Sequence, residues 1–100
     1  MARQNEADIR SLLNDWQTGK ERLARFREEL IPNARQRSEA VLVAYRTGKS
    51  DLAAALSARR DEIDVRMQAL TVEMETARAW AQVQFLITDQ QISAAAKDQP

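Results

Sequence analysis

The sequence predicts an all-α fold: a long antiparallel helical hairpin, a coiled coil that packs into a four-helix bundle or an α-barrel wall by self-association. Three observations lead to this prediction. The 100 residues include only two glycines and two prolines, and residues that favour helices are abundant. A turn signal stands near the midpoint at Gly48, with helical stretches on both sides. Apolar residues recur every seven positions in both stretches, as they do in coiled coils.

Composition excludes several classes of function. The chain has 15 basic and 15 acidic residues, so no net positive charge favours nucleic acid. It has no histidine and no cysteine, which removes the commonest general base, metal ligand and thiol nucleophile. We therefore expect a protein that is not an enzyme and needs no cofactor or metal. No apolar run is long enough to span a membrane, and the polar N-terminus is not a signal peptide. If the native protein is exported, we expect this chain to be a piece of it.

The first helix is predicted over about residues 5–46, with residues 1–8 polar and frayed. One apolar stripe repeats every seven residues along its first part: Ile9, Trp16, Leu23 and Leu30. Gly19 interrupts this stripe and weakens a helix by about 1 kcal/mol relative to alanine. It is either a tolerated weak spot or a point where another helix approaches closely.

Pro32 interrupts the same helix. It lacks the N–H that would bond to the carbonyl of Glu28, and its ring crowds the preceding turn. Either one helix ends near Ile31 and another begins, or one long helix kinks near Pro32. We favour the kink, because no cluster of turn residues precedes the proline. The apolar stripe changes register beyond it and continues as Ala34, Val41 and Tyr45, flanked by Leu42 and Val43.

The tip of the hairpin is predicted at residues 47–50. Gly48 fits the left-handed position just past a helix end. Ser50 fits the N-cap of the next helix, and Asp51 places a negative charge in its first turn. The polar or amphipathic residues here form either an ordinary connecting turn or a docking tip: Tyr45, Arg46, Thr47, Lys49 and Ser50.

The second helix is predicted over about residues 51–87, followed by a polar tail at 88–100. It carries two apolar stripes with seven-residue repeats. One is a heptad seam broken by Arg60, formed by Leu56, Ile63, Leu70 and Ala77 with Ala53, Met67, Met74 and Ala81 between them. The other consists of Val65, Val72, Ala79 and Leu86. The stripes face nearly opposite ways, so the helix is expected to have two helical neighbours.

Three smaller clusters have simple structural interpretations. The acidic residues 61, 62 and 64 lie among arginines, which favours an ion-paired surface over paired catalytic carboxylates. Met67 and Met74 are more typical of core filling than of a soft-metal site. Trp16 and Trp80 are each 32 residues from Gly48, so they are expected at the same height in the hairpin. We favour plain core packing for both.

Three segments follow one another at fixed spacing: Leu30-Ile31-Pro32-Asn33-Ala34, then Ala44-Tyr45-Arg46-Thr47-Gly48-Lys49-Ser50-Asp51-Leu52, then Leu56-Ser57-Ala58-Arg59-Arg60. Together they resemble the TolC-type outer-membrane efflux proteins, and among them the heavy-metal branch of CzcC- and CusC-like channel components. The resemblance covers about residues 5–88. The segments are moderately specific together and weak singly.

The resemblance implies the last periplasmic helical hairpin of a trimeric outer-membrane channel in a tripartite heavy-metal cation exporter. The implied partners are a periplasmic adaptor, which meets the tip, and an inner-membrane pump of the RND type. By position, Tyr45 and Gly48 match the family's tip tyrosine and glycine, and Leu52 belongs to the same tip. Some members carry aspartates where this chain has Ala54 and Ser57, so an acidic pore constriction is not expected here. A generic coiled-coil dimerisation module is the alternative.

Overall fold

The computed structural model describes the backbone of residues 2–97 and the side chains of residues 6–97. Within that range the chain is helical except for one turn, so the all-α prediction is confirmed. Helix α1 spans Ala2–Arg25, a π-helical turn spans Phe26–Leu30, helix α2 spans Ile31–Arg46, and helix α3 spans Leu52–Lys97. Within residues 21–72, α2 and α3 are the arms of a helical hairpin joined by that turn.

Both ends of the hairpin are more helical than predicted. Residues 2–8 belong to α1 rather than to a frayed end. Helix α3 continues to Lys97, so the prediction that it ends near Ile87 and gives way to a non-helical tail is wrong. Its last turns contain Ala94, Ala95 and Ala96, which have the highest helix propensity of all residues. Residues 98–100 lie outside the described part of the chain.

The irregularity predicted near Pro32 is a π-helical turn rather than a helix end. The N–H of Ile31 donates to the carbonyl of Phe26, five residues earlier. Such a turn holds one residue more than an α-helical turn, and Pro32 follows it in the first turn of α2. The extra residue moves the inward-facing positions of α2 to Ala34 and Ser38, both buried. The register change predicted beyond the proline is thereby confirmed.

The described residues divide into two units, each an antiparallel pair of helical segments. The turn unit comprises residues 21–72, and the described part of the terminal unit comprises residues 2–20 with 73–97. In the turn unit, Phe26 of the π-helical turn packs against Ala69 and Val72 of α3. The partly buried apolar residues around this core are Leu23, Leu30, Ile31 and Val65. Val65 and Val72 therefore belong to the face of α3 that packs within the hairpin.

In the terminal unit, α3 buries Thr76, Ala79 and Val83. The two tryptophans meet, as their equal distance from Gly48 predicts: the ring centroids of Trp16 and Trp80 are 4.6 Å apart, with the planes inclined by 31°. Trp80 keeps 41% of its surface exposed, so the interpretation as plain core is wrong for Trp80, whereas Trp16 is half-buried. The ammonium of Lys20 lies 4.3 Å from the Trp16 ring centroid, a cation–π contact on the same cluster.

Gly19 is a point of close approach between helices, which rejects the alternative of a tolerated weak spot. A Cβ built on Gly19 would overlap the Thr76 hydroxyl and come within 3.1 Å of Thr76 Cβ and 3.2 Å of Thr76 Cγ2. Rotating the threonine can move its hydroxyl, but Thr76 Cβ must still retreat by a few tenths of an ångström to accept the new methyl group. Thr76 is buried, so its backbone has little room to retreat.

We predict that Gly19→Ala destabilises the terminal unit by about 1–3 kcal/mol through overpacking, although alanine is the better helix former. Urea unfolding followed by far-UV circular dichroism measures the change. The control is Gly19→Ala in a Thr76→Ala background, which removes the hydroxyl and the methyl group and leaves only the 3.1 Å contact with Cβ, so the same substitution should cost clearly less there. Stabilisation by Gly19→Ala in the unchanged chain would contradict the close approach.

Candidate functional site

The turn at residues 47–51 is held by backbone hydrogen bonds at the end of α2. Gly48 has φ +77°, the left-handed conformation that glycine adopts without steric cost. The N–H of Lys49 donates to the carbonyl of Ala44 at 2.7 Å, and the N–H of Gly48 donates to the carbonyl of Tyr45 at 3.1 Å. This pair of bonds defines a Schellman motif, which satisfies carbonyls that a helix end would otherwise leave open.

Side chains complete both sides of the turn. The Thr47 hydroxyl lies 3.0 Å from the carbonyl of Val43 and donates to it. On the α3 side, the N–H of Ala54 donates to Asp51 Oδ1 at 2.8 Å, which makes Asp51 the N-cap. The predicted N-cap, Ser50, is therefore wrong by one residue, because α3 begins at Leu52.

The turn displays most of the side chains predicted for a docking tip. Tyr45, Arg46, Thr47 and Lys49 are exposed, whereas Ser50 is half-buried. Leu52 in the first turn of α3 is also exposed. The backbone and capping hydrogen bonds fix the path of the chain, so these exposed side chains are attached to a well-defined turn.

The two apolar stripes of α3 differ in their surroundings. Helix α3 packs through the Val65 and Val72 stripe, whereas the large apolar residues of the other stripe face outward in the described chain. We call four of these residues of the turn unit the outer stripe. They are Leu56, 59% exposed, Ile63, 47%, Met67, 62%, and Leu70, 55%. Beyond the turn unit, Met74 is exposed too, so neither methionine of the predicted pair fills a core.

The predicted ion-paired surface on α3 centres on Glu62, a residue that the apolar pattern misses. Glu62 is only 5% exposed. One of its carboxylate oxygens lies 3.4 Å from a guanidinium nitrogen of Arg59, and the other lies 3.2 Å from one of Arg66. The two arginines neutralise a carboxylate that would be costly to bury alone. Asp61 and Asp64 beside it are exposed.

A groove runs between α2 and α3 close to the turn. Its walls include Leu42 and Tyr45 from α2 and Leu52, Leu56 and Ile63 from α3. The Arg35–Glu39 ion pair, 3.1 Å long, lies on its α2 wall. The groove is open and lined about equally by apolar and by polar or charged side chains, which suits contact with another helix better than enclosure of a small molecule.

Among the described residues, no three acidic side chains gather closely enough to hold a metal ion. No helix in the described range combines the length and apolar character needed to cross a bilayer. Comparison of the chain with protein-family models, with curated proteins and with solved structures gives no match. The site is therefore defined by its geometry: a capped turn with exposed side chains, and an uncovered apolar stripe on α3.

We predict that Gly48→Ala lowers the free energy of unfolding by about 1–2 kcal/mol, the cost of a left-handed conformation with a Cβ. A Cβ at this position meets no atom within 4 Å, so the loss reports backbone conformation alone. Chemical unfolding monitored at 222 nm measures it. Gly48→Asn is the matched control and should lose less, since asparagine visits this conformation more readily. Equal stability of the alanine variant and the parent chain would argue against the Schellman turn.

A second prediction distinguishes the two possible N-caps of α3. Asp51→Ala should cost about 1 kcal/mol, because it removes the acceptor of the Ala54 N–H. Ser50→Ala should change the free energy of unfolding by less than about 0.5 kcal/mol, as is usual for substitutions away from caps and cores. Thermal and urea unfolding of both variants provide the comparison. A larger loss for Ser50→Ala than for Asp51→Ala would assign the cap to Ser50.

Proposed function

We propose that this chain is the periplasmic helical hairpin of a TolC-type outer-membrane channel in a tripartite heavy-metal cation exporter, with its turn as the docking end for the periplasmic adaptor. The observation that carries the proposal is the pair of apolar faces on α3. One face packs within the hairpin through residues such as Val72, which is buried, and the outer stripe is exposed. A helix in the wall of a tube has a neighbour on each side, which accounts for both faces.

The turn supports the docking role. Its backbone is held by the Schellman bonds and by the Asp51 cap, so little conformational freedom is lost when a partner binds. Tyr45 supplies an amphipathic ring of the kind enriched at binding hot spots. Arg46 and Lys49 supply positive charge for steering a partner with an acidic surface. These residues belong to the segment that resembles the tip of the efflux family.

A generic coiled-coil dimerisation module is the second candidate, and the seven-residue spacing of the outer stripe favours it. The two candidates differ in the role of the turn. In a channel hairpin the turn binds another protein, whereas in a dimerisation module it only connects two helices. Binding at the turn therefore separates them.

The experiment measures binding of the chain to the purified adaptor of an RND-type heavy-metal exporter by biolayer interferometry. We expect Lys49→Glu to weaken binding by about tenfold or more, equivalent to about 1.4 kcal/mol, because the substitution reverses a charge on the turn. Lys97→Glu makes the same change on an exposed residue outside the turn unit and should leave the dissociation constant within about twofold of the parent value.

Gly48→Pro tests the shape of the turn rather than its charge. Proline fixes φ near −65°, which is incompatible with the +77° of Gly48, so adaptor binding should be lost while far-UV circular dichroism still shows helix. Equal weakening by Lys49→Glu and Lys97→Glu would show that binding responds to charge in general and would overturn the docking role. Absence of adaptor binding by the parent chain would favour the dimerisation module.

A further inference from the structure

We propose that the outer stripe of α3 binds the outer stripe of a second copy of this chain, with the two α3 helices parallel and in register. This inference shares the outer stripe with the proposed function but does not use the turn, so its test is separate from that of adaptor docking. It assigns a partner to the uncovered face of the turn unit. The spacing of the outer stripe, the exposure of its residues and the charges beside it support this pairing.

The spacing of the stripe is that of a two-stranded coiled coil. Its positions alternate in steps of four and three: 56, 60, 63, 67 and 70. This period of 3.5 residues keeps one seam facing a partner helix. Leu56, Ile63 and Leu70 take the d positions, and Arg60 and Met67 take the a positions. A single polar residue at an a position lowers stability but restricts register and oligomeric state, which is the role we assign to Arg60.

Exposure shows that this face is uncovered in the turn unit. The four apolar residues of the outer stripe keep between 47% and 62% of their surface exposed. They form one row, interrupted by Arg60, on a helix whose opposite face is already packed against Phe26. Exposed apolar rows on a soluble helix are typical of interaction surfaces.

The charges beside the stripe select the parallel arrangement. Arg59 takes a g position and Asp64 the following e position. In a parallel, in-register pair, g of one helix faces e of the next heptad on the other, so Arg59 meets Asp64 of the second copy twice by symmetry. In an antiparallel pair, a faces d, g faces g and e faces e. With Leu56 opposite Met67 of the second copy, Arg59 lies near Arg66; with Ile63 opposite Met67, Arg66 and Asp64 each lie near their own copies. These like-charge contacts are repulsive.

Both groups of the attractive pair are accessible. Asp64 is exposed. Arg59 contacts Glu62 through one guanidinium nitrogen at 3.4 Å, and its side chain remains 66% exposed. Since a guanidinium carries five N–H donors, Arg59 is able to bond to Asp64 of the second copy while it keeps its contact with Glu62. The next g and e pair along the stripe is Arg66 with Thr71 of the second copy. It joins one charged group to one neutral group.

Disulfide trapping tests the orientation, because the chain has no cysteine of its own. Leu56→Cys and Leu70→Cys are prepared separately and oxidised mildly at micromolar concentration. In the parallel, in-register pair, each variant alone forms a covalent dimer, since equivalent d positions face one another within disulfide reach. The matched control is Gln68→Cys, which is exposed and lies off the stripe at a b position, and it should remain monomeric on a non-reducing gel.

Two results of the trapping experiment would overturn the proposal. One is cross-linking of Leu56→Cys and Leu70→Cys no faster than cross-linking of Gln68→Cys. The other is cross-linking that occurs only when Leu56→Cys is mixed with Met67→Cys, which is the signature of the antiparallel pair because a then faces d.

Sedimentation equilibrium tests the stripe and its charges without cysteine. Arg60→Leu fills the polar gap in the seam and should tighten dimerisation by about tenfold or more. Met67→Glu should weaken it by at least about tenfold, and because Met67 is exposed, helicity at 222 nm should remain that of the parent chain.

Asp64→Lys should weaken dimerisation, and Arg59→Glu combined with Asp64→Lys should restore it by exchanging the charges. A parent chain that stays monomeric at hundreds of micromolar, or an unchanged dimer in Met67→Glu, would refute the proposal.

Discussion

Small side chains on the inner face of α3 are the constraint on which the hairpin depends. In the terminal unit, Thr76 approaches Gly19 so closely that a methyl group at position 19 would overlap it. In the turn unit, Ala69 packs against Phe26. A close approach like that at Gly19 leaves no room for leucine or methionine in the contact. The large apolar residues of α3 therefore lie on the opposite face, where the hairpin itself offers them no partner.

The π-helical turn maintains the packing on the other arm. Positions that alternate by three and four from Leu23 and Phe26 would reach Leu30 and then Asn33, a polar residue. One extra residue in the Phe26–Leu30 turn moves the inward face to Ala34 instead, which is almost completely buried. Because Pro32 has no N–H to donate, an α-helical hydrogen bond is already missing at this point. The irregular turn is therefore placed where regular geometry is least favoured.

Much of the fold could be predicted from local chemistry, but the full set of residues on the inward-packing face of α3 could not. Glycine at position 48 can be read as a left-handed helix end because no other residue adopts that conformation as easily. Hydrophobic periodicity predicts the valines on the inner face of α3. It does not predict Glu62, Ala69 and Thr76 there, because it favours large apolar residues over small or polar ones. Glu62 is buried only because Arg59 and Arg66 reach its carboxylate, and that arrangement has no simple spacing rule. Asp51 and Ser50 are both good caps, so sequence alone could not decide between them.

The two surfaces proposed for binding are physically independent. The turn is stabilised by its own backbone bonds and by Asp51, whereas the outer stripe begins beyond the first turn of α3 and is stabilised by packing on the opposite side of that helix. A partner at the turn gains affinity from a preorganised backbone, because the entropy of ordering the loop is already lost on folding. A partner at the stripe gains affinity from burial of apolar surface, which is roughly proportional to the area removed from water. One hairpin is thus able to hold a neighbour along its length while its turn stays free to bind a different protein.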